Sequence, residues 1–152
     1  MIKEGTHNNT AIIKELLSQY RAKEYIMNHT REDLLLAERR AAALQSPRMD
    51  GLSHVRDIHS RENRVLDEYY TKEKLIERYK AAKDYMDAIT PILDDLPKMD
   101  RRLIEIFYMN EDGDGVTGKI DTVCEEYGLE RTAAYKRVER ALRRFGLRFF
   151  GC

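Results

Sequence analysis

Apolar residues recur at steps of three and four along most of this chain, which is the period of an amphipathic α-helix. The first stripe predicts a helix over about residues 9–44, with its weakest point at residues 28–30. Turn-forming residues at 45–51 end this helix, and a second stripe predicts a helix over about 55–93. Two long helices joined by a short turn are expected to pack as an antiparallel hairpin. We expect Pro91 to kink or interrupt the second helix.

The stripe of the second helix contains charged residues, for example Lys72 and Lys83, so the predicted pairing of the two helices is imperfect. An imperfect apolar seam is a common reason for further packing or dimerisation. The hairpin is therefore interpreted as an arm that forms a homodimer or contacts a partner protein.

A denser apolar pattern begins after Leu96 and Pro97. Pro97 suits the first turn of a new helix, and residues 101–109 carry enough apolar side chains for the core of a small domain. A polar, glycine-rich loop follows at 110–118. The sequence therefore predicts an all-α fold in two parts, a long antiparallel helical hairpin arm over residues 1–95 and a small domain over residues 96–152.

The small domain carries a helix-turn-helix pattern. A short helix is predicted over residues 120–127, with Ile120, Val123 and Cys124 facing inward. Gly128 follows it and supplies the positive φ that a tight turn requires. We expect Leu129 to fill the turn from the core side.

The last helix is predicted over about residues 131–145, and Gly146 is expected to end it. One of its faces is apolar, which predicts that it buries Ala134, Val138, Ala141, Leu142 and Phe145. The opposite face is polar and basic and consists of Arg131, Thr132, Tyr135, Lys136, Arg137 and Arg140. A recognition helix needs this arrangement, with the first turns directed at base edges and flanking cations at phosphates.

The charges of the chain cancel, with 27 basic and 27 acidic side chains, but they are unevenly placed. Residues 82–127 hold 5 basic and 12 acidic side chains, a net of −7, whereas residues 128–152 hold 7 basic and 2 acidic, a net of +5. A ligand responds to the nearest patch, because salt screens charges beyond roughly 8 Å. The basic patch coincides with the last helix and favours a nucleic-acid partner. The acidic stretch is interpreted as a solvated face, with a contact to RNA polymerase as the alternative.

Residues 96–105, a Leu-Pro step followed by a charged turn and an apolar helix, resemble the opening helix of the region-4 domain of bacterial sigma factors. Residues 124–137 are similar to the helix-turn-helix of that domain, and residues 140–145 resemble its closing stretch. With the helical arm before it, the chain resembles the phage-encoded late transcription regulators of Gram-positive bacteria, of the RinA and ArpU type. The run Arg-Thr-Ala-Ala-Tyr at 131–135 is close to the Arg-Thr-Ala-Tyr of that family.

Two features depart from this family pattern. The position nine residues after the turn glycine is usually apolar, but here it is Arg137, with Val138 beside it. The loop at 110–118 is also longer than is usual for the domain. The first departure leaves open which face of the last helix reads DNA.

The resemblance implies a sequence-specific DNA-binding protein whose recognition helix enters the major groove. The residues expected near bases are Arg131, Thr132, Tyr135 and Lys136. The cations expected at phosphates are Arg137, Arg140, Arg143, Arg144 and Lys119. The resemblance further implies a transcriptional regulator, an activator of phage late genes in the cytoplasm of a bacterial host. Its partners would be double-stranded promoter or operator DNA and host RNA polymerase.

Two other functions remain open. A DNA-binding packaging component, similar to a small terminase, would share the helix-turn-helix and the arm but would assemble into rings. A calcium-binding interaction module is the other, because positions 1, 3, 5, 6 and 12 of an EF-hand loop match Asn110, Asp112, Asp114, Gly115 and Asp121. Position 12 is Asp and not the usual bidentate Glu, and no metal is assigned.

No enzyme constellation stands out in the sequence. The four histidines lie on the arm without the spacing of a zinc site, and no phosphate-binding glycine loop or nucleophile motif occurs. We therefore expect neither enzymatic activity nor a cofactor. Apolar runs are far shorter than the roughly 20 residues of a membrane span, so no membrane partner is expected. Two cysteines, Cys124 and Cys152, fit a reducing cytoplasm better than a disulfide scaffold.

Overall fold

The computed structural model describes residues 4–45, 58–110 and 115–151, with side chains over 9–43, 62–110 and 115–151. Most of its described residues are helical and none of them is in a strand, which confirms the all-α prediction. The elements are α1 (Glu4–Ser18), α2 (Tyr20–Gln45), α3 (Ile58–Asp94), α4 (Lys98–Ile104) with a π-helical turn (Glu105–Met109), α5 (Gly115–Tyr127) and α6 (Arg131–Phe150). None of the described helices is long and apolar enough to cross a membrane.

The first long helix is bent at Gln19, and not at residues 28–30 where the apolar stripe is weakest. The Ser18 hydroxyl donates a hydrogen bond of 2.6 Å to the carbonyl oxygen of Glu15, a local bond that often bends helices. Thr30 makes a similar bond of 2.6 Å to Ile26, yet α2 continues through it. Thr30 is buried, and α2 is continuous at the position that the sequence marked as weak.

Pro91 lies inside α3, so of the two effects predicted for it, a kink or an interruption, the interruption does not occur. The helix continues past Pro91 to Asp94 and ends there. Pro91 has no N–H, so one carbonyl of the preceding turn loses its helical partner. Because the proline stands only one turn from the helix end, few hydrogen bonds depend on its position.

The described residues cluster into two compact units. One unit comprises Met1–Lys23 and Tyr85–Cys152, and the other comprises Glu24–Asp84. Helix α1 belongs to the first unit, where it packs against α6 and the π-helical turn. The compact unit that contains α6 is therefore larger than the predicted domain of residues 96–152, because α1 and the end of α3 contribute to its core.

The first unit is built on one apolar core. Its buried residues come from every helix of the unit and are Ile13, Leu17, Tyr20, Ile89, Leu93, Leu96, Leu103, Ile104, Ile106, Met109, Ile120, Val123, Ala134, Val138, Ala141, Leu142 and Phe145. Across this core, the Tyr85 hydroxyl donates a hydrogen bond of 2.5 Å to the carbonyl oxygen of Leu16, which ties α3 to α1.

Gly146 does not end the last helix, contrary to the sequence prediction. Helix α6 runs to Phe150, and Gly151 at φ +71° caps it. Gly146 is buried against α1, where an added Cβ atom would stand 2.6 Å from Ile13 Cδ1. The glycine at this position therefore leaves room for the end of the Ile13 side chain.

The second unit contains parts of α2 and α3. Ala37, Ala82 and Thr30 are buried in it, and Lys72 Nζ lies 2.8 Å from a Glu38 carboxylate oxygen. Lys72, which interrupted the apolar stripe in the sequence, thus has an acidic partner on the neighbouring helix. Larger apolar side chains of this unit are exposed, namely Tyr25, Leu35, Leu36, Leu66, Tyr69 and Tyr70.

Candidate nucleic-acid interface

The turn between α5 and α6 has the backbone that the sequence predicted. Gly128 adopts φ +61°, a left-handed conformation that residues with a Cβ rarely take. The Leu129 N–H donates to the carbonyl oxygen of Cys124 at 3.2 Å and closes the end of α5. Leu129 and Cys124 are half-buried and pack against the core. The turn therefore fixes the start of α6 on the domain.

The inward face of α6 is the predicted one. Ala134, Val138, Ala141, Leu142 and Phe145 are all buried. Val138 occupies the interior, and Arg137 beside it is exposed. The buried position of α6 is therefore residue 138, ten residues after Gly128, and this register determines which face of α6 is exposed.

Three cations form the outermost line of α6, facing away from the core. Lys136, Arg140 and Arg143 follow one another at steps of four and three, so they lie on one face of the helix. All three side chains are exposed, and within the described part of the chain none has an ion-pair partner. We call these three residues the free cation line. An unpaired, exposed row of charge is available to an anionic ligand without first breaking an internal contact.

Other cations of α6 contact neighbouring segments of the chain. Arg131 Nη2 lies 2.8 Å from Asp121 Oδ1, and Arg148 Nε lies 2.7 Å from Asp95 Oδ2. Arg137 Nη1 approaches the Met99 sulfur at 3.5 Å. Exposed ion pairs contribute only about 0–1 kcal/mol, so Arg131 can exchange Asp121 for a stronger ligand.

Arg144 has a different environment from the other cations. Its Nη1 lies 2.5 Å from Asp100 Oδ2, and the Asp100 side chain is only 5% exposed. Removing Arg144 would leave a buried carboxylate without its charge partner, which is strongly unfavourable. The structure therefore places Arg144, which the sequence analysis expected at a phosphate, in the packing of α4 against α6.

Lys119 is also engaged within the fold. Its Nζ donates to the carbonyl oxygens of Phe107 at 3.2 Å and Asn110 at 2.9 Å, and the side chain is half-buried. Cations near a helix C-terminus satisfy carbonyls that lack helical partners. Lys119, which the sequence analysis also expected at a phosphate, thus caps the π-helical turn.

The first turns of α6 expose the remaining candidates. Thr132 is exposed, and Tyr135 is 44% exposed with its ring edge-on to Phe107, at 6.5 Å between centroids. Phe107 belongs to the π-helical turn, which the sequence did not predict. This contact holds the Tyr135 ring beside the turn while its outer edge stays accessible.

The calcium pattern does not have the form of a calcium loop in the part that the structure describes. Its positions 6 to 12 lie in helix α5, which begins at Gly115. Asp121 is paired with Arg131, and the Asn110 side-chain oxygen accepts a hydrogen bond of 3.4 Å from Arg21. Asp112 and Asp114 lie outside the described residues. Among the described residues no three His, Cys, Asp or Glu side chains are grouped as metal ligands.

Comparisons with known proteins add no family to this picture. The chain matches no protein-family model, no curated protein and no solved structure. The geometry of α5, the glycine turn and α6 therefore carries the functional argument.

Proposed function

We propose that this protein is a non-enzymatic, sequence-specific DNA-binding regulator of transcription that inserts α6 into the major groove. The observation that carries the proposal is the free cation line of Lys136, Arg140 and Arg143, on a helix that follows a positive-φ glycine turn. Phosphates bind exposed Lys and Arg side chains and release counterions, which supplies affinity.

We assign a role to each exposed side chain of α6 according to its position and its contacts. Arg131, Thr132 and Tyr135 stand on the first turns, where a recognition helix meets base edges. Lys136 begins the free cation line and lies close enough to these turns to reach a base or a phosphate. Arg140 and Arg143 continue the line toward the C-terminus and are assigned to phosphates, with Arg137 at the flank.

The finer assignment rests on the sequence resemblance described above. We propose a helix-turn-helix domain of the sigma region-4 kind and a role as an activator of phage late genes in a bacterial host cytoplasm. We also propose that α2 and α3 form a hairpin arm, supported by the ion pair between Glu38 and Lys72. The exposed Leu and Tyr side chains of that unit suit a homodimer or a contact with RNA polymerase.

The experiment is an unbiased selection of bound fragments from the source genome, followed by mobility-shift titration of the selected site. Arg131→Ala and Lys136→Ala should each weaken specific binding by about 1–3 kcal/mol if they contact bases. Selection of one promoter upstream of late genes supports activation. Unchanged binding by both variants would remove α6 as the recognition helix.

Light scattering on the same preparation separates regulation from packaging. A monomer or a dimer supports the regulator, whereas an octamer or a larger ring supports a terminase-like packaging component. Light scattering is needed in addition to DNA selection, because a packaging protein would also select DNA.

A further inference from the structure

An open groove lies between α1 and the C-terminal half of α6, away from the first turns of the recognition helix. Its volume is about 540 Å³, which is within the range of roughly 300–1,000 Å³ for ligand sites. The floor is apolar and is formed by Ile13, Leu142 and Gly146, all of them buried. Leu147 and Phe150, which are 49% and 38% exposed, add further apolar surface at its open end.

The groove also carries charge. Arg140 and Arg143 of the free cation line border it, and Glu139 is the one acidic residue among the described residues that line it. The two arginines have no ion-pair partner in the described part of the chain. Cations beside exposed apolar side chains, here Leu147 and Phe150, complement a ligand that is apolar on one side and acidic on the other.

The shape of the groove selects among such ligands. Its lining on α6 extends from Glu139 to Phe150, which is roughly 16 Å of helix at 1.5 Å per residue. An amphipathic helix places anchors at steps of three and four over a similar length, and it fits apolar grooves between helices.

We propose that the groove between α1 and α6 binds an acidic amphipathic helix of a partner protein, and that this helix and DNA compete for Arg140 and Arg143. The competition rests on the proposed DNA-binding function, whereas helix binding in the groove does not. Occupation of the groove would therefore release the protein from DNA.

The test uses the full chain and a fluorescent synthetic 15-residue helix with Leu on one face and Glu on the others. A control peptide has the same composition with the Leu residues scattered around the helix. We expect the amphipathic peptide to bind with amide and methyl NMR shifts at Ile13, Gly146 and Leu147. The scattered peptide should bind about tenfold more weakly or not at all.

Two variants on the same helix separate the partners. Leu147→Gln should weaken peptide binding about tenfold and leave DNA binding unchanged. Lys136→Ala should weaken DNA binding and leave the peptide unchanged. With the wild-type chain, added peptide should displace DNA.

Several results would overturn the proposal. These are equal binding of both peptides, shifts away from the groove, normal peptide binding by Leu147→Gln, or simultaneous binding of peptide and DNA. Dimerisation lost in Leu147→Gln, measured by light scattering, would make a second copy the occupant and would also overturn it. If the chain binds no DNA but binds the peptide in the groove, the proposed function fails and the docking site stands.

Discussion

Replacing Gly146 by Ala tests the contact between α1 and α6, through which α1 belongs to the first unit. The added Cβ atom would stand 2.6 Å from Ile13 Cδ1, about 1 Å closer than carbon atoms normally approach. Overpacking a core contact costs about 1–3 kcal/mol. Alanine in a helix interior gains about 1 kcal/mol over glycine, so we expect a net loss of about 0–2 kcal/mol.

Combining Gly146→Ala with Ile13→Val tests whether the loss of stability comes from the contact with Ile13. Valine lacks the Cδ1 atom, and the next contact, with Ile13 Cγ1, would be an ordinary 4.0 Å. In the Ile13→Val background, Gly146→Ala should therefore be stabilising by about 1 kcal/mol, from helix propensity alone. The coupling energy between the two positions should be about 1–3 kcal/mol.

Urea denaturation followed by circular dichroism measures the four free energies of unfolding, with equal m-values as the check on comparable transitions. Ile12→Val is the matched control, because Ile12 is the neighbouring residue in α1 and is 47% exposed. It should show no coupling to Gly146→Ala. If Ile13→Val also changes the effect of Gly146→Ala by less than about 0.5 kcal/mol, the predicted clash between the Ile13 side chain and a Cβ atom at residue 146 does not occur.

Three further predictions concern the support of the interface. Gly128→Ala should lose about 1–2 kcal/mol of stability because φ is +61°. No atom lies near the new Cβ, so the loss comes from the backbone conformation alone. Gly128→Asn should lose less, and urea denaturation measures both variants. Burial, and then the charge interaction with Tyr20, raises the pKa of Tyr85 above its usual value. The unfolded chain then releases this proton first, so stability should fall as the pH rises above about 10, and Tyr85→Phe should reduce that slope in denaturation at several pH values. Lys119→Met should lose about 1 kcal/mol of stability by removing the carbonyl cap, while the salt dependence of DNA binding stays unchanged in titrations.

Local periodicity predicted much of the fold. The buried face of α6 and the positive φ of Gly128 follow from spacing within one helix and one turn, so the sequence contained them. Gly146 was misread because a glycine at a helix end and a glycine under a crossing helix look alike in sequence. Only the contact with Ile13, far away along the chain, distinguishes them.

In the candidate site, too, the sequence predicted the residue types but not the contacts between residues that are far apart in the chain. The sequence marks Arg143 and Arg144 as equivalent cations, but Arg144 contacts Asp100, and Arg143 has no such partner in the described residues. Lys119 donates a hydrogen bond to the carbonyl oxygen of Phe107, which lies in a π-helical turn. No residue pattern in the sequence predicted this turn. The partners of long cations depend on how distant helices pack, so the free cation line could be recognised only in the structure.

The most direct test of the central claim is the salt dependence of DNA binding. Log affinity against log salt should fall linearly for the wild-type chain, with a slope of about −0.9 for each phosphate contacted. Replacing Lys136, Arg140 and Arg143 together by Ala should make the slope shallower by about 2 if Lys136 contacts a base and by about 3 if it contacts a phosphate. Arg148→Ala removes another cation of α6, one that is paired with Asp95, and it should leave the slope unchanged. Equal slopes for the wild-type and the triple variant would contradict the assignment of the free cation line as the phosphate-binding face.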